Sequence, residues 1–295
     1  MRTVDHPASD PEESGRSDDA LAEIGDRPDN LYDAARLIVS EPVTRLKVLR
    51  ARAAARLWFR RELSKAPSTP RTPLADRPGR PSKPDLLAPR DMPRRSASGT
   101  RGRFALMHSL AHIELNAVDM TWDLVARFIE RPMPRTFFDN WVQVGLEEAK
   151  HFDLLDRRLR ELGGAYGDLP AHDGLWQAAA ETGHDLLARL AIVPLVLEAR
   201  GLDVTPPMIA KLRSASDDES ADILEIIYRD EKRHVAFGTR WFTYVCAREK
   251  RIPEPTFHQM VQRYFRGGLR PPFNDRARSE AGLTPGFYKP LSSIA

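Results

Sequence analysis

The pentapeptide Asp230-Glu231-Lys232-Arg233-His234 sets a carboxylate and an imidazole three residues apart. At helical period the two share a stripe with Leu224, Ile227, Val235, Gly238 and Phe242, so they project from adjoining positions of an otherwise apolar face. A carboxylate buried there is costly unless something positive compensates it, and a metal ion of the iron or manganese type suits a carboxylate–imidazole pair. One Glu-x-x-His arises easily by chance. Here a second, Glu147-Glu148-Ala149-Lys150-His151, repeats the order acid, Glu, two residues ending in a base, His. Two further acids have apolar flanks: Glu114 in Ala-His-Ile-Glu-Leu and Glu198 in Val-Pro-Leu-Val-Leu-Glu-Ala. Two single glutamates plus two Glu-x-x-His pairs on four helices are the donors that hold two metal ions in a bundle core. The candidate ligands are therefore Glu114, Glu148, His151, Glu198, Glu231 and His234. Four carboxylates and two imidazoles leave coordination positions open, which suits two iron ions, or manganese, better than zinc.

Neighbouring residues compete for these roles. Glu147 and Asp230 directly precede the ligand glutamates and either orient a ligand imidazole or face water. Lys150 and Arg233 are expected as solvated charge. His108 and His112 lie one turn apart on a face shared with Asp119 and form a rival site; Glu114 is preferred, with His112 a core histidine or a partner behind the ligands. A third Glu-x-x-His, Glu181-Thr182-Gly183-His184, has less apolar surroundings than Glu198. Tyr228, one turn from Glu231, is the best candidate if a tyrosine takes part in redox chemistry, although core packing is the simpler reading.

The elements that must carry these residues are helices. One runs from about Arg103 to Glu130, a second from about Arg135 to Leu162, stopped by Gly163-Gly164, and a third from about Gly174 to Arg200, interrupted by Pro194 and ended by Gly201. A short helix from Pro206 to about Ser214 follows, then the helix within Asp217–Cys246 and a last one over about Glu254 to Phe265. Pro194, four residues before Glu198, predicts a local irregularity beside it. Sustained alternation and hairpin turns are missing, so the expected class is all-α: a four-helix bundle over 104–250 with an N-terminal helical extension, a Pro-rich linker, and a C-terminal helix and irregular tail over 251–295. Residues 31–66 read as basic amphipathic helices. Residues 67–103 hold eight prolines and nine basic residues, too many for helix or central strand, and read as an extended linker.

The 295-residue chain has 41% hydrophobic residues, enough for a substantial core. Its formal charge of +3 conceals an asymmetry. Residues 1–30 carry nine acids against three bases and read as a disordered tail, whereas 31–103 carry eighteen bases against six acids. That basic segment would suit nucleic acid, or else pair with acids of the bundle. No apolar run is long enough to cross a bilayer, and no apolar signal region opens the chain, so a cytoplasmic protein is the simplest expectation. The single cysteine, Cys246, excludes an intramolecular disulfide and Cys-based metal sites.

Several longer segments resemble the ferritin-like proteins of domain of unknown function 455. They are His112-Ile113-Glu114-Leu115, Trp141 through Phe152, Tyr166 through Trp176, Val193 through Pro206, and Asp230 through Phe242, with Pro272-Phe273-Asn274 and Ala277-Arg278 beyond. The resemblance covers nearly the whole chain after its first 30 residues. It implies a ferritin-like bundle with a dinuclear site at Glu114, Glu148, His151, Glu198, Glu231 and His234. More remotely the ligand scheme is similar to that of tRNA hydroxylases, ubiquinone-precursor hydroxylases and rubrerythrins. The expected function is an O2-activating diiron oxygenase or oxidase, with an external electron donor and an organic substrate, either a small molecule or nucleic acid. A ferroxidase or iron-handling protein, and a tRNA-hydroxylase-like RNA-associated protein, are the alternatives. Self-association stays open.

Overall fold

The structure is a computed structural model that describes residues 27–66, 72–88, 91–92, 99–266 and 268–292. Most of the expected acidic tail, and residues 67–71, 89–90 and 93–98 of the expected linker, lie outside the described residues.

The described chain is mostly helical. Two N-terminal helices, α1 (Leu31–Ser40) and α2 (Thr44–Phe59), lead to two long ones, α3 (Gly99–Arg127) and α4 (Arg135–Glu161). Then come α5 (Gly174–Glu181), α6 (Leu186–Ile192), a π-helical turn over Val193–Glu198, α7 (Ala199–Ser214) and the longest helix, α8 (Asp218–Arg248). Helices α9 (Pro253–Tyr264), α10 (Asp275–Glu280) and α11 (Pro285–Tyr288) close the described chain. Helix α3 packs along α4, α7 along α8, and α8 also touches α4 and α6. One apolar core runs through all of these layers, with Trp58, Trp122, Trp141 and Phe242 fully enclosed.

Two glycines set how closely the helices approach. A Cβ on Gly145 of α4 would come within 2.6 Å of the Trp122 indole on α3, and one on Gly238 of α8 within 2.6 Å of the Pro194 ring. Only glycine fits at either crossing. The apolar stripes containing these glycines therefore mark where backbones converge.

The basic N-terminal helices lie against this body. Lys47 of α2, 1% exposed, donates to the carbonyls of Val39 and Gly79 and pairs with the buried carboxylate of Asp119 on α3, which Arg80 also meets at 2.8 Å. Arg52 pairs with Asp153 on α4, Arg77 with Asp173 and Arg103 with Asp217. Of the two fates considered for this basic segment, pairing with acids elsewhere in the chain accounts for these side chains.

Besides the short helices α10 and α11 in the tail expected to be irregular, the structure departs from the sequence expectations in three places. First, a two-residue strand β1 (Leu86–Leu87) in the expected linker pairs in parallel with β2 (Ala171–His172), in register Leu86 to Ala171 and Leu87 to His172. So short a strand has no periodicity to read. Second, the expected helix over 174–200 is broken after Glu181, where Gly183 interrupts it and the Asp185 carboxylate caps the restart by accepting from the amides of Leu187 and Ala188. Third, Gly201 does not end a helix: α7 runs on through Pro206 and Pro207 to Ser214. Pro206 has no N–H to give the Leu202 carbonyl, and the side chain of Asn274 supplies that donor at 3.1 Å. The irregularity expected at Pro194 is the π turn, in which the amide of Ala199 reaches back five residues to the Pro194 carbonyl.

Candidate metal centre

Helices α3, α4 and α8 and the π turn bring six donor side chains into one buried cluster. His151 of α4 lies with Nδ1 3.2 Å from Glu114 Oε2 on α3 and 3.5 Å from Glu148 Oε2 on its own helix. His234 of α8 mirrors it, with Nδ1 2.9 Å from Glu148 Oε1 and 3.5 Å from Glu231 Oε1. The rings are 5.9 Å apart between centroids. Glu114, Glu148, His151 and Glu231 offer donor atoms within 4.8 Å of one another, and so do Glu198, Glu231 and His234. Glu231 belongs to both groups, and Glu148 reaches both imidazoles. The arrangement is two adjoining donor sets that share carboxylates.

The far side of each imidazole is held crosswise. Nε2 of His234 lies 2.8 Å from Glu147 Oε2 on α4, and Nε2 of His151 lies 3.1 Å from Asp230 Oδ2 on α8. A carboxylate on Nε2 keeps the proton there and turns the Nδ1 lone pair toward the cluster, the orientation a metal ligand needs. Each acid is gripped in turn from the opposite helix. Lys150 of α4 meets Asp230 at 3.1 Å, Arg233 of α8 meets Glu147, and Gln143 donates to Glu147 at 2.6 Å. The two bases, expected as solvated charge, thus bridge α4 and α8, even though their side chains remain 42% and 43% exposed.

The electrostatics record the crowding of acids. Burial, with Glu148 beside it, pushes the Glu114 carboxyl up to about 8, and burial together with Glu231 drives Glu198 well above the ordinary range. Burial and Glu148 also raise Glu231. Burial opposes the Glu148 anion too, but the His234 and His151 imidazoles together hold it below the usual carboxylate range. Both histidines rise well above their ordinary value: burial disfavours their cations, and the acids around each outweigh it. The cluster thus retains protons on acids and imidazoles alike, which bound cations would displace.

Whether a metal fits is decided by the orphaned atoms. Both carboxylate oxygens of Glu198 and Oε2 of Glu231 are enclosed and make no hydrogen bond, and the enclosed oxygens of Glu148 meet only the two imidazoles. Glu198 as a whole residue is only half-buried, yet both of its carboxylate oxygens are shielded from water. Enclosing unsatisfied carboxyl oxygens is expensive, and oxygen and imidazole donors at this spacing suit a cation. The donor set fits.

The competing residues lie elsewhere. His112 is not brought to the cluster. Its Nδ1 faces the Tyr166 hydroxyl at 2.8 Å and its Nε2 the His172 carbonyl at 3.0 Å, because it points to the other side of α3 from Glu114. His108 accepts from the Gly167 amide, and Asp119 serves Lys47 and Arg80, so no rival site forms there. Glu181 and His184 are exposed. The Tyr228 hydroxyl accepts from Asn274 at 3.2 Å and turns toward the C-terminal segment rather than the cluster.

Beside the cluster lies a cavity of about 510 Å³. Glu114, Glu198 and Glu231 form part of its wall, and α3, α7, α8 and the segment around Phe265–Arg278 supply the rest. Sequence reasoning missed this cavity.

Fold and site together define a predominantly helical protein with a buried carboxylate–imidazole cluster able to hold metal. The family described as Protein of unknown function (DUF455) matches residues 40–289. A curated relative from Haemophilus influenzae, described as an uncharacterized protein, is 38% identical over 213 residues, which cover 69% of this chain and 73% of that one. The chain belongs to the DUF455 family. No solved structure matches it. Among the described residues, no helix is long and apolar enough to cross a membrane.

Proposed function

We propose that this protein is a ferritin-like four-helix bundle that holds two metal ions, iron foremost, and uses them to activate dioxygen on an organic substrate. The four helices would be α3, α4, the run from α6 through α7, and α8. The observation that carries the reading is the pair of donor sets sharing Glu231, with orphaned carboxylate oxygens aimed between them. When bound, iron would supply the one-electron and dioxygen chemistry that no side chain here offers.

The chain's own residues do the rest. Glu114 and His151 would hold one ion, Glu198 and His234 the other, with Glu148 and Glu231 between them. Glu147 and Asp230 keep the imidazoles aimed by holding the Nε2 protons. The apolar body around the cluster excludes water. Electrons would come from an outside donor. An organic substrate is favoured over simple iron handling because the cavity opens onto three of the cluster's glutamates. The paired state of Lys47, Arg52, Arg77 and Arg80 weighs against a nucleic-acid role for the basic segment 31–103.

The test is elemental analysis of the purified protein beside the double variant Glu148→Ala, Glu231→Ala, with circular dichroism to show that both are folded. About two ions per chain, lost in the variant, are expected. A folded protein that takes up no metal even after anaerobic loading with ferrous iron sinks the reading. Iron oxidation with no organic substrate consumed would move it to the ferroxidase alternative.

A further inference from the structure

The cavity beside the cluster has two chemically different ends. At the inner end are the carboxylates of Glu114, Glu198 and Glu231, with Glu114 and Glu231 5% and 7% exposed. Toward the surface are the exposed Arg266 and Arg270, and Arg200 and Arg278 also line the wall. Arg278 is 3% exposed, stacked on Tyr288 at 4.6 Å and bonded to Asp203, yet its Nη1 is enclosed and has no hydrogen-bond partner. Asp203 also takes Arg200 at 3.3 Å, so one carboxylate answers two guanidinium groups, and positive charge is left in excess. Between the ends the wall is hydrocarbon, including Met120, Val196, Leu224, Ile227 and Phe273. The volume lies in the range of small-molecule sites.

We infer that the cavity takes an elongated apolar molecule ending in one anionic group, a carboxylate or a phosphate, with the anion at the arginines and the hydrocarbon extending toward the glutamates. This deepens the function proposed above and rests on it for the identity of the inner end. Two divalent ions would neutralise the four cluster glutamates, so the inner end offers an anion no surplus attraction. The arginine end does: the exposed guanidinium groups of Arg266 and Arg270 offer paired N–H donors that a carboxylate or phosphate oxygen satisfies, in the forked geometry that favours arginine. A hydrocarbon wall rewards a tail in proportion to the area it buries.

Dodecanoate, dodecyl phosphate, dodecanol and inorganic phosphate, titrated calorimetrically into metal-loaded and metal-free protein, test this. Dodecanoate or dodecyl phosphate should bind at least about tenfold more tightly than either dodecanol or inorganic phosphate, since a hydrogen bond to a charged group and the buried tail each contribute that much. Whichever of the two amphiphiles binds more tightly identifies the headgroup. The double variant Arg266→Gln, Arg270→Gln should weaken binding severalfold while leaving the metal content unchanged. Gly201→Phe is a second probe: a Cβ on Gly201 points toward Glu231, with its Cγ 4.0 Å away and nothing nearer, so a ring there would fill the inner cavity and abolish binding. Dodecanol binding as tightly as dodecanoate, no binding by either amphiphile, or binding unaffected by Gly201→Phe would overturn the inference. Metal uptake without amphiphile binding would overturn this inference alone; amphiphile binding by a chain that takes no metal would overturn the metal reading alone.

Discussion

Asp230 touches no other cluster carboxylate, yet it holds the Nε2 proton of His151 and is itself gripped by Lys150. Asp230→Asn should leave the helix intact and weaken metal binding by about 10–100-fold, the usual cost of removing a partner behind a ligand imidazole. A competition titration against a chelator would measure this, and an unchanged affinity would remove Asp230 from the account. Glu147→Gln should act in the same way through His234. His112 gives a separate prediction in acid. Burial pushes its imidazole down to about 4, against an ordinary value near 6.5. Above pH 6.5 the ring is neutral whether the chain is folded or not and contributes nothing to the slope. Below that, the unfolded chain binds a proton the folded chain refuses, so stability falls between about pH 6.5 and 4 by up to about 3 kcal/mol. Denaturant melts of the wild type and His112→Gln across this window should converge as the pH drops; parallel curves would count against the assignment. At this scale the sequence was partly legible. Glu and His at the same spacing in two apolar stripes can be read directly. The crossed grips of Lys150 and Arg233 cannot, because each needs the opposite helix to be positioned first.

At the scale of the element, the π turn is what points Glu198 inward. Pro194→Ala returns an N–H to the backbone and lets the run from α6 to α7 relax toward regular α-helix, turning Glu198 away from Glu231 and His234. The expected outcome is unchanged or raised thermal stability with lower metal stoichiometry, as when strain serves a site. A variant with full metal content would show that the turn is incidental. Buried ion pairs hold the neighbouring elements: Asp123 of α3 takes both Arg189 of α6 and Arg127. Asp123→Ala would strand a fully enclosed guanidinium and should cost about 3–5 kcal/mol in a denaturant melt. Helix existence and most helix ends followed from apolar periodicity. The continuation of α7 through two prolines did not, because its missing donor comes from Asn274, some seventy residues away. Neither did the β1–β2 pair, whose two-residue strands carry too few side chains to show alternation.

For the whole molecule, cations that bind only the folded cluster must stabilise the fold. Loading at a thousand times the dissociation constant should add about 4 kcal/mol and raise the melting temperature, and a chelator should reverse the shift. The metal-loaded and metal-free melting curves of Glu148→Ala, Glu231→Ala should coincide. The asymmetry of charge along the chain left nucleic acid open as the lesser alternative to internal pairing, and the pairs that Lys47 and Arg52 make with α3 and α4 show only with the helices in place.

The segment that roofs the cavity also has an order of manufacture. Arg278 follows His234 by 44 residues, so every cluster donor leaves the ribosome before Phe273, Asn274 and Arg278 do. At cellular elongation rates this leaves roughly 2–9 seconds in which the roof over the nascent cluster is incomplete. On the metal reading proposed above, ions would enter from the open side during that interval. Once Arg278 has docked on Asp203, that side of the cavity is closed, and metal exchange in the finished protein should be slower than first loading.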